Sequence, residues 1–255
     1  GAAESSTVAV DEVELNFLVN AGNVSGELHL DTEDADDDRA INIEQVHFTY
    51  SFGNGASLQV GRFGSALGLE REDPAGLYTY SRAYGEPTAI TAAQTGYGSV
   101  YNLGNVDANV GQGGRLSFSS GDFTASIALF NAVGADLEDT AGFTENDLDA
   151  ELAVTYSGID NLSITAGYIS IATLDSTVAG VPASEDYDVY TVNASYTLNK
   201  LLLAGEYIAA EGDDGDDLSA YLILADYDVN EKLGFAIRYS EYDLTNTTSA
   251  DQITF

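Results

Sequence analysis

The side chains with which this 255-residue chain could do chemistry are 42 acids, 8 bases and 2 histidines. Without a Cys it has no thiol nucleophile, no disulfide and no Cys-ligated zinc or iron–sulfur site. His29 and His47 are its only imidazoles, so a three-His metal site is excluded. Neither has a plausible Ser beside it, and no Gly-x-Ser-x-Gly elbow occurs. No catalytic constellation is present, and a non-enzymatic role is expected. The loops Asp31–Asp38 and Glu211–Asp217 carry calcium-type ligands, but Asp213-Asp214-Gly215-Asp216-Asp217 lacks EF-hand spacing and its terminal bidentate Glu. They read as solvated acidic loops, so neither a metal nor a cofactor is expected. A net charge of −34 leaves almost nothing to neutralise phosphates, which argues against nucleic acid as a partner.

What remains is how these charges are distributed, and that depends on the elements carrying them. No apolar run approaches the roughly 18 residues of a membrane-spanning helix. A hydrophobic content of 44% is too high for acidic disorder. Period 2 dominates. Phe123, Ala125, Ile127 and Leu129 alternate with Thr124, Ser126 and Ala128. Leu148, Ala150, Leu152, Val154 and Tyr156 alternate with Asp149, Glu151, Ala153 and Thr155. About thirteen strands are predicted, near 11–21, 26–31, 40–52, 57–64, 113–119, 122–131, 148–157, 162–172, 187–198, 201–210, 218–229 and 233–243, with a last one starting near 251.

Two kinds of connection alternate along the chain. Short ones, such as Gly22-Asn23, Gly53-Asn54-Gly55, Ser120-Gly121-Asp122 and Asn199-Lys200, supply the positive φ of tight hairpins. Long polar ones fall at 31–39, about 65–112, 132–147, 173–185, 211–217 and 244–250. Short turns at one end and long loops at the other mark an all-β, antiparallel up-and-down transmembrane β-barrel in the outer membrane. Tyr50, Phe52, Tyr156, Tyr168, Tyr196, Tyr227, Tyr239 and Tyr242 lie near strand ends, where an interfacial girdle would sit. A soluble β-sandwich shares the alternation but does not require the two kinds of connection to alternate. A soluble acidic β protein from a high-salt organism is a further alternative.

Closing such a barrel takes an even number of strands. Thirteen strands leave the first and last pointing the same way. About 14 strands (range 12–16) are therefore expected, with a further strand before the first and a continuation of the last.

The segment Leu58-Gln59-Val60-Gly61-Arg62-Phe63-Gly64-Ser65-Ala66-Leu67-Gly68-Leu69-Glu70, followed by Tyr78-Thr79-Tyr80-Ser81-Arg82, resembles the β-barrel porin family of Gram-negative bacteria (the porin-2, or outer-membrane β-barrel, group). Gly114-Arg115-Leu116-Ser117-Phe118 and Phe123–Ala132 resemble the next hairpin of that family. The motif-level match covers about residues 40–132, and the hairpin pattern covers nearly all of the chain, residues 1–255, as a single barrel. The resemblance implies a channel for small solutes or ions. Its expected partners are outer-membrane lipid and lipopolysaccharide, and a homo-oligomer (a trimer) is the expected assembly.

In a barrel, the parity opposite the apolar one lines the lumen. It holds Glu14, Glu27, His29, Gln45, His47, Arg115, Asp149, Glu151, Asn193, Glu206, Asp226 and Arg238. So many carboxylates would favour cations. Arg62, Arg71, Arg82 and Arg115 gather around the loop at 65–112, which is long enough to be functional. In porins such a loop folds inward. Arg62, Glu70, Arg71, Glu72, Asp73, Arg82 and Arg115 are therefore expected at a constriction. Arg62 shares its parity with Leu58 and Val60, so it reaches the lumen only if a bulge shifts the register. The competing functional reading is a non-conducting structural or adhesive barrel whose acidic loops contact neighbours.

Overall fold

A computed structural model describes residues 13–31, 41–69, 110–133, 143–145, 148–171, 174–176, 187–212, 218–244 and 248–255. Its strands are β1 (Leu15–Ala21), β2 (Val24–Asp31), β3 (Asn42–Ser51), β4 (Ala56–Gly64), β5 (Val110–Ser120), β6 (Phe123–Val133), β7 (Phe143–Glu145), β8 (Asp149–Ile159), β9 (Leu162–Ile171), β10 (Leu174–Ser176), β11 (Tyr187–Leu198), β12 (Leu201–Gly212), β13 (Leu218–Asn230), β14 (Leu233–Leu244) and β15 (Thr248–Thr254). Thirteen form one antiparallel sheet in the order β1-β2-β3-β4-β5-β6-β8-β9-β11-β12-β13-β14-β15, and β7 pairs with β10 separately. Among the described residues no pairing joins β1 to β15.

The turn chemistry is what the sequence requires. Asn161 and Asn199 take φ of 64° and 55°, the left-handed conformation that Asn tolerates best among residues with a side chain. The last connection differs from expectation. It is residues 245–247, because Thr248, Ser249 and Ala250 pair with Leu244, Asp243 and Tyr242. Cross-strand pairing thus extends β15 into a stretch whose polarity reads as loop.

The sheet curls, and one contact shows it. The backbone N–H of Leu69 donates to Glu206 Oε1 at 3.0 Å. Leu69 lies five residues beyond the end of β4, a reach of about 17 Å of extended chain. Glu206 is on β12, six neighbours away in the order β4-β5-β6-β8-β9-β11-β12. Six interstrand spacings come to roughly 29 Å along a flat sheet. The contact is therefore made across the interior of a curved wall.

Strand parity then separates two faces. Along β13, Leu222 is 1% exposed, Ile223 62% and Leu224 0%. The outward side chains Phe48, Val60, Leu116, Ile127, Leu129, Leu152, Val154, Val192, Leu203, Ile223 and Ile237 are all exposed and follow one another around the sheet. A water-soluble protein rarely exposes so continuous an apolar surface. The buried cluster, including Phe63, Leu67, Phe130, Ile169, Val189, Ile208, Leu222 and Leu224, lies on the inner face.

Aromatic pairs border the apolar belt. At the short-turn end Tyr50 meets Phe52 (ring centroids 5.0 Å apart) and Phe123 meets Tyr156 (4.9 Å). At the long-loop end Tyr168 meets Tyr190 (5.2 Å) and Tyr221 meets Tyr239 (5.9 Å). There the hydroxyls of Tyr168, Tyr221 and Tyr239 donate to Asp188 (2.6 Å), Glu241 (2.7 Å) and Glu241 (2.5 Å). Rings toward the belt and hydroxyls toward carboxylates suit a boundary between hydrocarbon and water. Eleven-residue strands such as β5, β6 and β8, tilted by about 45°, cover roughly 25 Å of height.

Candidate channel constriction

The interior site is built where the chain leaves β4 and turns inward. Gln59 and Arg115 are opposite one another on β4 and β5, on the inner parity. Arg115 Nη1 donates to Gln59 Oε1 (3.2 Å), and its Nη2 donates to Gly64 O (2.7 Å) and Glu151 Oε1 (3.0 Å). The guanidinium carbon stands 4.8 Å from the Phe63 ring centroid and 6.0 Å from that of Phe130, so aromatic faces flank the cation.

Glu151, 1% exposed, organises the inward turn. Besides Arg115 it accepts the backbone N–H of Ala66 (3.1 Å) and the Ser65 hydroxyl. Ser65 Oγ in turn accepts the N–H of Leu67 (3.0 Å). Taking a carboxylate out of water is costly unless charge and hydrogen bonds replace its hydration. Here a cation and two donors do so. Leu67 then packs on Gly167 of β9, where any Cβ would occupy the space of the leucine side chain. At the far side Glu206 Oε1 accepts Leu69 N–H and the Thr191 hydroxyl (3.3 Å). Two buried carboxylates, on β8 and on β12 three strands further round, thus pin the segment Ser65–Leu69 as it leaves β4 and crosses the interior.

A chain of polar groups continues from Arg115 around the wall. Gln59 Nε2 donates to His47 Nδ1 (3.2 Å), which places the His47 proton on Nε2. That atom lies 3.7 Å from Glu27 Oε2. His29 Nε2 is 3.4 Å from the same oxygen, and His29 Nδ1 is 3.6 Å from Glu14 Oε1.

The inner parity also carries Gln45, opposite His29, and Asp149, opposite Phe130. Asn193 lies opposite Glu206, and Asp226 opposite Leu202. Arg238, fully buried, donates to Thr254 Oγ1 (3.5 Å). The twelve side chains expected to face inward thus occupy one face. Arg62 does not join them. It pairs with Val46 and Gln112, and the β3–β4 and β4–β5 registers run without a shift, so it points outward with Leu58 and Val60. The bulge that would have turned it inward is absent. Glu70, Arg71, Glu72, Asp73 and Arg82 lie outside the described residues.

Sequence reasoning missed Gln59, Ser65, Leu67, Leu69 and Gly167 as parts of the site. Their contacts are long-range, so nothing local in the sequence marks them. The apolar inner wall did leave a signal. Runs such as Leu201-Leu202-Leu203-Ala204 and Tyr221-Leu222-Ile223-Leu224-Ala225 are apolar on both parities, as a strand buried on both faces must be.

Among solved structures the chain is similar to an anion-selective porin from Comamonas acidovorans, with 18% identity and a TM-score of 0.61 over 95% of this chain and 71% of that one. The fold is that of a bacterial outer-membrane porin. It is also similar to a loop L8 deletion mutant of OmpT, an outer membrane protein of Vibrio cholerae (15% identity, TM-score 0.55, 95% of this chain and 83% of that one). Outer-membrane expressed OmpT of the same organism gives a TM-score of 0.52 at 15% identity, over 95% and 70% of the two chains. No family model and no curated protein matches the chain.

Proposed function

We propose that the chain forms a water-filled channel in the bacterial outer membrane for passive diffusion of small solutes or ions, with a preference for cations. The observation that carries this reading is a porin fold with an apolar outer face, a charged inner face and a chain segment pinned across the interior by Glu151 and Glu206. The inner parity sets Glu14, Glu27, Asp149, Glu151, Glu206 and Asp226 against Arg115 and Arg238, and an excess of carboxylates lowers the potential within the lumen. The Comamonas porin is named as anion-selective. The preference proposed here follows instead from this chain's own charges. Segment 65–112 serves as the constriction loop, with Glu70, Arg71, Glu72, Asp73, Arg82 and Arg115 at its narrowest zone. A homo-oligomer, a trimer, is the assembly proposed within outer-membrane lipid and lipopolysaccharide.

A barrel that does not conduct is a second reading, favoured by the inner wall of Ile169, Val189, Ile208, Leu222 and Leu224, each at most 1% exposed. Planar-bilayer recording across a KCl gradient separates the two. The channel gives discrete conductance steps and a reversal potential of the cation-selective sign. Repeated silence from protein whose heat-modifiable migration shows it folded contradicts the channel, and a reversal potential of opposite sign contradicts cation preference.

A further inference from the structure

Arg62 stands on a face where a charge is out of place. A cation on the outward parity of a membrane barrel is costly at the midplane and cheap near the interface. Arg62 sits two residues from the long-loop end of β4, so it lies at the interface. Directly beside it are Gln112 on β5 and Val46 on β3. With Ile43 and Asn131, these side chains and the backbone of Gly61 and Gly113 line a cleft of about 530 Å³.

Glycine lets neighbouring backbones close up beside this cleft. Gly61 and Gly113 face one another across β4 and β5, and a Cβ on either would overlap the carbonyl of Val46 or Leu129. The β5–β6 register shifts between Gly111 and Gly113, and the β2–β3 register shifts between His29 and Leu30. Bulges at a barrel rim re-aim side chains. Here they flank the cleft.

The lining suggests the occupant. A guanidinium fork and two carboxamides, Gln112 and Asn131, stand beside the apolar side chains of Ile43 and Val46. The fork matches a phosphate with two parallel hydrogen bonds. The apolar part, continued down the outer face by Val60 and Phe48, matches an acyl chain. Charge narrows the choice of place. On β11–β15 the outward positions near the long-loop ends include Asp188, Glu211, Glu241, Asp243 and Asp251, in a chain of net charge −34. Among the described residues the other bases are Arg115 and Arg238 on the inner face, and Lys200 and Lys232 at the short-turn end. Among the described residues, an anionic headgroup near the long loops therefore finds its cation at Arg62.

We propose that the Arg62 cleft binds the phosphate headgroup of a phosphorylated outer-leaflet lipid, with an acyl chain laid over Val46 and Val60. This rests on the membrane-barrel reading above. The test is native mass spectrometry of the full chain in a neutral maltoside detergent, titrated with bisphosphorylated lipid A or its dephosphorylated form. The wild type is expected to retain one phosphorylated lipid per chain. Arg62→Gln is expected to weaken retention about tenfold, Arg62→Lys less, and Lys200→Gln not at all. Gln112→Ala, which keeps the charge, provides a second weakened variant should Arg62→Gln fail to fold.

Equal retention by Arg62→Gln, or equal retention of the dephosphorylated lipid, overturns the proposal. So does full displacement by equimolar inorganic phosphate, which would make the cleft a free-anion site. An oligomer that Arg62→Gln splits without any lipid present would assign this face to a second copy of the chain and overturn it as well. Failure of the membrane-barrel reading appears separately, as protein that stays soluble without detergent and shows no heat-modifiable migration.

Discussion

Across β1–β5 the inward side chains include Asn16 and Gln45, together with His29, Glu27, His47, Gln59 and Arg115, which form a chain of polar neighbours that ends on Glu151 of β8. Across β9–β13 they include Ile169, Val189, Ile208, Leu222 and Leu224, with Glu206 as the buried acid. The segment Ser65–Leu69 leaves the first wall and ends on the second. The contrast shows how a barrel interior can hold a chain segment in place. One wall supplies charge and hydrogen bonds and the other a surface for Leu67 and its neighbours, while Glu151 on β8, between the two walls, and Glu206 on β12 fix the backbone.

The contrast is open to test at several strengths. The largest expected effect comes from removing the segment itself. Gly64 and Val110 are register partners, so residues 65–109 can be replaced by a tight two-residue turn. Single-channel conductance is expected to rise severalfold, and an unchanged value would remove the segment from the permeation path.

Next comes Glu151→Ala on the polar wall, which leaves the Arg115 cation without its buried partner. A loss of about 3–5 kcal/mol is expected, read as a lower temperature for the heat-modifiable shift. The double variant Arg115→Met/Glu151→Leu should recover most of it, and strict additivity of Arg115→Met and Glu151→Leu, each also measured alone, would contradict the pairing.

On the apolar wall, Leu224→Ala should cost about 2–5 kcal/mol, and its exposed neighbour Ile223→Ala clearly less. Equal losses would mean that the two parities do not face different surroundings. The smallest change is Glu206→Gln, which keeps the acceptor for Leu69 N–H and Thr191 and removes only the charge. Conductance should hold while the reversal potential in a KCl gradient moves toward zero.

The fold was legible because each hairpin writes itself locally. Alternation at Phe123–Leu129 set the faces, and Asn161 or Asn199 set the turn. The inner and outer parity of Glu27, His47, Glu151 and Glu206 followed from the same rule. The inward segment Ser65–Leu69 was legible only in outline. A long loop beside Arg115 suggested an inward fold, but the anchors Glu151 and Glu206 are 86 and 137 residues from their partners Ser65 and Leu69, a separation no local pattern encodes. Arg62 illustrates the limit from the other side. Its clustering with other arginines pointed inward and its parity pointed outward, and parity prevailed because no bulge interrupts β4.

The central claim is that Leu69 stands in the path of permeating ions. The chain has no native Cys, so Leu69→Cys and the outward Leu129→Cys each carry a single thiol. A bulky water-soluble thiol reagent is applied during planar-bilayer recording, and labelling is confirmed afterwards by mass. The account predicts a stepwise loss of single-channel current for Leu69→Cys and none for Leu129→Cys. Full labelling of Cys at position 69 with current unchanged would contradict it.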